Sequence, residues 1–95
     1  MLLTKFRITG HSMQPKLKEN DLVLVSKIFY IFKSPSINDI VAFERSGKIL
    51  VKRIIKISGN NYFISGDNKK DSFDSKAFGP IKKESIVGKV FYKLT

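Results

Sequence analysis

The sequence predicts an all-β protein: a single compact coiled β-sheet or barrel-like domain of about six short strands, with at most single-turn helices. Three observations carry this expectation. Short apolar, β-branched runs recur between clusters of Gly, Asn, Asp and Ser, the punctuation of strands and turns. No stretch of ten residues keeps a 3.6-residue apolar period uninterrupted by Gly or Pro. Ninety-five residues supply one modest core and not two, so the strands share a single domain over residues 1–95.

Taken in order, Phe6-Arg7-Ile8 is an extended segment leading into Gly10-His11-Ser12-Met13-Gln14-Pro15, where Gly and Pro mark a turn. Leu22-Val23-Leu24-Val25 follows the turn signal Asn20-Asp21. Residues 40–43 and 49–57 flank Ser46-Gly47, a two-residue hairpin signal. Gly59-Asn60-Asn61 turns the chain into Tyr62-Phe63-Ile64, and residues 87–92 close it. Ile28-Phe29-Tyr30-Ile31-Phe32, bounded by Lys27 and Lys33, is apolar on both faces. It reads as a buried strand or as a surface that touches a membrane.

Composition narrows the function classes. With 42% hydrophobic and 27% charged residues the chain is of the folded type. Cysteine is absent and histidine occurs once, so no disulfide framework and no protein-built metal site are expected, and with no phosphate loop or Gly-rich dinucleotide motif no cofactor is expected either. The longest apolar runs are four or five residues, against roughly 18 to 20 for a membrane-spanning helix, and residues 1–7 lack the apolar stretch of a secretory signal. The expected location is therefore cytoplasmic or peripheral at a membrane surface. A net charge of +10 attracts anionic surfaces, an anionic membrane among them. The lysines are spread in blocks no longer than two, and the aromatics do not line one strand face among them. Specific nucleic-acid binding is thus not expected. A non-catalytic basic β domain binding nucleic acid or a protein partner is the alternative from another class.

The chemistry centres on Ser12. A serine held between a glycine and a proline turn can be a nucleophile, though most such serines only satisfy backbone groups. As a nucleophile it needs a base to take its proton. Adjacent side chains of an extended segment diverge, so His11 reads as a turn or surface residue. Lys52 sits in the apolar run 49–57 with Leu50 and Ile54 on its own face, while Arg53 points to the other. Lowering a lysine from about 10.4 to about 8 takes roughly 3 kcal/mol of penalty on the charged form. Burial alone can shift a lysine by about 3 to 5 units. Taken alone, the same pattern also fits an edge or snorkelling lysine.

The order of these segments resembles the type I signal peptidases, serine endopeptidases that use a Ser/Lys dyad. The likeness runs from about residue 8 to residue 90. It rests on the Gly-x-Ser-Met-x-Pro box at Gly10 to Pro15, the strand Asn38-Asp39-Ile40-Val41-Ala42-Phe43 and the pair Lys52-Arg53. The most specific part is Gly66-Asp67-Asn68 followed by Ser72-Phe73-Asp74-Ser75. Self-cleaving repressors of the SOS type share the serine turn and strand lysine, but that last box is not expected in them.

The resemblance implies Ser12 as nucleophile, Lys52 as general base, no cofactor and no metal, and a leader-bearing precursor protein as partner. It implies that Ser72 hydrogen-bonds the lysine and that Asp74 pairs with a basic residue two positions on. Here that residue is Lys76 in place of the usual arginine, which forgoes the bidentate fork. The Ser12 N–H is one oxyanion donor; the second in many members is a small hydroxyl residue at the position of Gly10, so a backbone-only hole helped by Thr9 is expected. Met13, Leu17, Leu50 and Val51 match positions that line shallow substrate pockets. Gly66, Asp67 and Asn68 are expected to turn this box against the dyad. The ending of residues 74–81 and the missing anchor are similar to the short soluble maturation proteases of nickel superoxide dismutase. A membrane-peripheral or truncated type I signal peptidase for secretory preproteins is the alternative.

Overall fold

In a computed structural model that describes residues 3–69 and 79–95, the chain runs through β1 (Leu3–Arg7), β2 (Leu22–Ser26), β3 (Ile40–Arg45), β4 (Lys48–Ser58), β5 (Asn61–Ser65), β6 (Ile81–Lys82) and β7 (Ile86–Lys93). All pairings are antiparallel and make one seven-stranded sheet, order β1-β2-β7-β3-β4-β5-β6. The all-β expectation holds: the only helices among the described residues are two 3₁₀ turns, Ile28–Tyr30 and Lys83–Ser85. The strand beyond the expected six is β6, two residues paired with Asn61 and Tyr62. Ser46 and Gly47 both have positive φ, 54° and 80°, the backbone of the tight turn whose twist matches a right-handed hairpin.

The strand reading of Ile28-Phe29-Tyr30-Ile31-Phe32 is corrected. Its first three residues form a 3₁₀ turn with none of them buried. The reason is tertiary. Tyr30 donates its hydroxyl to Asp39 Oδ2 at 2.7 Å, and the Phe29 ring packs at 5.1 Å against Phe91, which extended backbone would not allow together. Burial first, and then the bond to Asp39, push the Tyr30 pKa upward and keep the hydroxyl a donor.

Strand β3 divides the core. Ile40, Val41, Ala42 and Phe43 are all buried, so alternation sends Val41 and Phe43 to one face and Ile40 and Ala42 to the other. Ile40 and Ala42 pack with Ile8, Met13, Leu17, Val23, Val25 and Val51. Val41 and Phe43 pack with Ile54, Tyr62, Ile64 and Ile81. The register shifts between Leu24 and Val25, between Ala42 and Phe43, and between Ile54 and Lys56. Such bulges bend and twist a sheet. They curl it enough for residues from β1 and β4 to line one cleft.

Candidate active site

Ser12 lies on a loop that begins and ends at paired backbone. The Ile8 N–H donates to Asp21 O at 2.8 Å and the Asn20 N–H to Ile8 O at 2.8 Å, closing residues 9–19 as an excursion from the β1–β2 pair. Met13 and Leu17, both buried, anchor the loop in the core, and a Leu17 N–H to Met13 O bond of 2.9 Å holds them one turn apart. With its neighbour Met13 pulled inward, Ser12 is left half-buried at the rim.

The turn at residues 66–69 docks on this loop. Asn68 donates its backbone N–H to Ser12 O at 2.8 Å and its side-chain amide to His11 O at 3.0 Å. The turn is fixed from behind by Arg53, whose guanidinium forks onto Asp67 with Nε to Oδ1 at 2.9 Å and Nη2 to Oδ2 at 2.8 Å. A third donor, Nη1, reaches Asn38 O at 2.9 Å. The Arg53 hydrogen bonds hold the Asp67 carboxyl below the usual carboxylate range, burial opposing them, and Lys69 and Lys16 add attraction. Lys69 donates to Ser65 Oγ at 2.8 Å, tying the turn back to the end of β5.

Lys52 is only 4% exposed. It stands opposite Val41 on β3, with Leu50 and Ile54 two residues away on its own face. A small cleft of about 40 Å³ brings Ser12 and Lys52 together with Thr9, Met13, Leu50 and Val51, walled further by Phe6, Ile8 and Ile49. His11 turns outward, its Nε2 3.1 Å from Glu19.

The remaining sequence-predicted site residues fall elsewhere. Gly10, two positions before Ser12 in the chain, has φ +80° and open space where a Cβ would be, and it is not among the cleft-lining residues. Leu17 lines a different groove, with Pro15, Lys16, Ile40 and residues 90–93. Ser72, Asp74 and Lys76 lie outside the described residues. Sequence reasoning missed the Arg53–Asp67 fork and the Asn68 bonds to the serine loop. Their signal was present: alternation places Arg53 opposite in direction to Lys52, and a guanidinium at the edge of a core calls for a carboxylate.

Chemically, a hydroxyl and a buried amine sharing an apolar-walled cleft can form a nucleophile and base pair. The Peptidase S24-like family model matches residues 3–91 of the chain. The chain is 27% identical to Signal peptidase I V of Bacillus subtilis (strain 168), covering 87% of this chain and 80% of that relative. It is 26% identical to Thylakoidal processing peptidase 1, chloroplastic, of Arabidopsis thaliana over 90% of this chain and 40% of the relative. Against Mitochondrial inner membrane protease subunit 1 of Homo sapiens it is 28% identical over 90% of this chain and 66% of the relative. It thus spans less than half the length of the thylakoidal relative and four-fifths of the Bacillus one.

Proposed function

The chain belongs to the Peptidase S24-like family, and from that premise we propose that it is a serine endopeptidase removing an N-terminal leader or signal peptide from a precursor protein. The observation that carries the reading is the shared cleft of Ser12 and the buried Lys52. Ser12 Oγ attacks the scissile carbonyl carbon, and its proton passes to the neutral amine of Lys52. The tetrahedral intermediate collapses to an ester on Ser12 as the Lys52 ammonium returns that proton to the leaving amine. Water then gives a proton to Lys52 and adds its oxygen to the acyl carbon. As this second intermediate collapses, the Lys52 ammonium returns the proton to the departing Ser12 Oγ, which restores the hydroxyl and the neutral amine and releases the leader as a carboxylic acid.

The geometry supports each role separately. Lys52 is 4% exposed, and burial is the general means by which a protein can supply a lysine base that works near neutral pH. The backbone N–H of Ser12 is an oxyanion donor in this scheme, on a loop whose carbonyl on the far side is already taken by Asn68. The narrow cleft, with Met13, Leu50 and Val51 in its wall, suits small side chains next to the cut bond. The roles of Ser72 as a partner of Lys52 and of Asp74 with Lys76 rest on the sequence resemblance, since these residues lie outside the described ones. Relatives that are signal and thylakoidal processing peptidases support leader removal. The finer assignment, a nickel superoxide dismutase precursor, rests on the sequence resemblance to that subgroup.

The test offers the purified chain two precursors, one secretory with a small-x-small cleavage site and one of nickel superoxide dismutase, with mass spectrometry locating the cut. Cleavage of either is expected, and Ser12→Ala and Lys52→Met each lower kcat by at least about a thousandfold. Cleavage that survives Lys52→Met would sink the dyad, and the precursor processed names the subgroup.

A further inference from the structure

The 3₁₀ turn Ile28–Tyr30 and the two residues after it hold up an apolar tip that the peptidase scheme leaves unused. Phe32 is 93% exposed, the highest value for a large apolar side chain among the described residues, with Ile31 at 54% and Ile28 at 49%. The base of this tip is clamped. Tyr30 donates to Asp39 at 2.7 Å, the Ile28 N–H donates to Ser26 Oγ at 3.1 Å, and Phe29 packs on Phe91 while Lys89 Nζ lies 5.2 Å over its ring. A clamped base that presents bare apolar groups to water is a built surface.

Its surroundings are cationic. Lys27 and Lys33 bracket the tip in sequence, and Lys89 stands at its base. Beside it runs a groove of about 220 Å³, with Ile31, Pro35 and Ile86 in its wall and Lys27 and Lys83 at its margins. Asp39, the acid beneath the tip, is already engaged by Tyr30 and by Lys89 at 3.7 Å, and Glu84, beside Lys83, accepts from Asn60 at 3.1 Å. Aromatic and aliphatic groups rimmed by lysines match the chemistry of a bilayer interface, where the rings enter the acyl boundary and the ammonium groups reach the phosphates.

We propose that this tip and its lysine-rimmed groove dock the protein on an anionic phospholipid bilayer. A second copy of the chain is a poorer occupant, because it would bring the same lysines against these and repel them. Strand β2 runs from the serine loop to this turn, and its five residues hold the tip and the loop roughly 16 Å apart. None of the tip residues lines the Ser12–Lys52 cleft, and the inference stands independently of the peptidase reading.

The chain contains no tryptophan, so Phe32→Trp supplies a single indole reporter. Mixed with vesicles of phosphatidylcholine and phosphatidylglycerol in equal parts, its emission is expected to shift to the blue, and with phosphatidylcholine alone to stay in place. In vesicle sedimentation, Phe32→Ser lowers partitioning of the otherwise native chain at least about tenfold. Lys27→Gln and Lys33→Gln lower it roughly fivefold each. Hydrolysis of a soluble leader peptide stays at the wild-type rate in all of these variants, so a failure of docking and a failure of the peptidase assignment are read on different axes. The proposal is overturned if phosphatidylglycerol produces no shift or if Phe32→Ser partitions like the wild type. It is also overturned if the tip instead drives a lipid-free dimer that Phe32→Ser dissolves in the ultracentrifuge.

Discussion

The dipeptide Lys52-Arg53 sends two cations in opposite directions from one strand. Lys52 enters the cleft, and Arg53 grips Asp67 with two bonds and Asn38 with a third. Because Asp67 is followed by Asn68, which bonds the carbonyls of His11 and Ser12, Arg53 positions the serine loop from across the strand without touching it. Arg53→Lys keeps the charge and loses the fork. It is expected to cost about 1 to 2 kcal/mol in urea unfolding and to lower kcat more than it raises KM, since a loosened Ser12 loop harms positioning before binding. The acid side of the profile follows from Asp67. Its carboxyl is held below the ordinary range chiefly by Arg53, so its folded pKa lies under the unfolded value of about 3.9. The stabilisation is fully present above the unfolded value and is lost as pH falls through the folded one. In unfolding experiments stepped in pH, the stability gap between wild type and Asp67→Asn should stay level from neutral down to about pH 4 and close below it. A gap that closes well above pH 4 would assign the contribution to another group.

At the level of strands and turns, what could be read in advance was what depends on near neighbours. Ser46-Gly47 foretold the β3–β4 hairpin because a two-residue loop containing Gly is the tight-turn signal, and Gly47 takes its positive φ at no steric cost while Ser46 is held at φ 54° by the turn. Period-two spacing put Leu50 and Ile54 on the face of Lys52. What escaped depends on distant partners. The run 28–32 has strand composition, yet Asp39 and Phe91 recruit its tyrosine and phenylalanine into a turn. Strand β6 exists only through two pairings with β5 and carries no pattern of its own. The partner of Arg53 lies fourteen residues on, in a turn whose placement no local rule fixes. Gly88 belongs to the same class. A Cβ there would meet the Ser26 carbonyl carbon and oxygen at 2.8 Å and Val25 Cγ1 at 3.0 Å, so the β2–β7 pairing requires hydrogen at this position. Gly88→Ala should destabilise by about 1 to 3 kcal/mol, through strands forced apart. Thermal unfolding followed by circular dichroism reads the shift, and an unchanged midpoint would mean that β2 yields freely.

Across the whole molecule, two apolar clusters lie on opposite sides of β3, and each contains two of its residues. Neither cluster can lose its packing while the strand stays put, because Ile40 and Ala42 alternate with Val41 and Phe43 along the same backbone. The site inherits this coupling. The serine loop is anchored by Met13 and Leu17 in one cluster, whereas Lys52 pairs with Val41 and is flanked by Ile54, both members of the other. A cut in either core therefore disturbs the geometry between nucleophile and base. The consequence is a single cooperative transition for the chain, with a calorimetric enthalpy equal to the van't Hoff value and near 65 kcal/mol for 95 residues. Phe43→Ala, which empties a fully buried position on one side, should cost about 3 to 5 kcal/mol and move the whole transition. Met13→Ala on the other side should move the same transition by about 2 to 5 kcal/mol. Near-ultraviolet dichroism of the tyrosines, which reports Tyr62 in the Phe43 cluster, decides the matter. If Met13→Ala leaves the tyrosine signal melting at the wild-type temperature while far-ultraviolet dichroism melts earlier, the two clusters fold as separate units and β3 does not couple them.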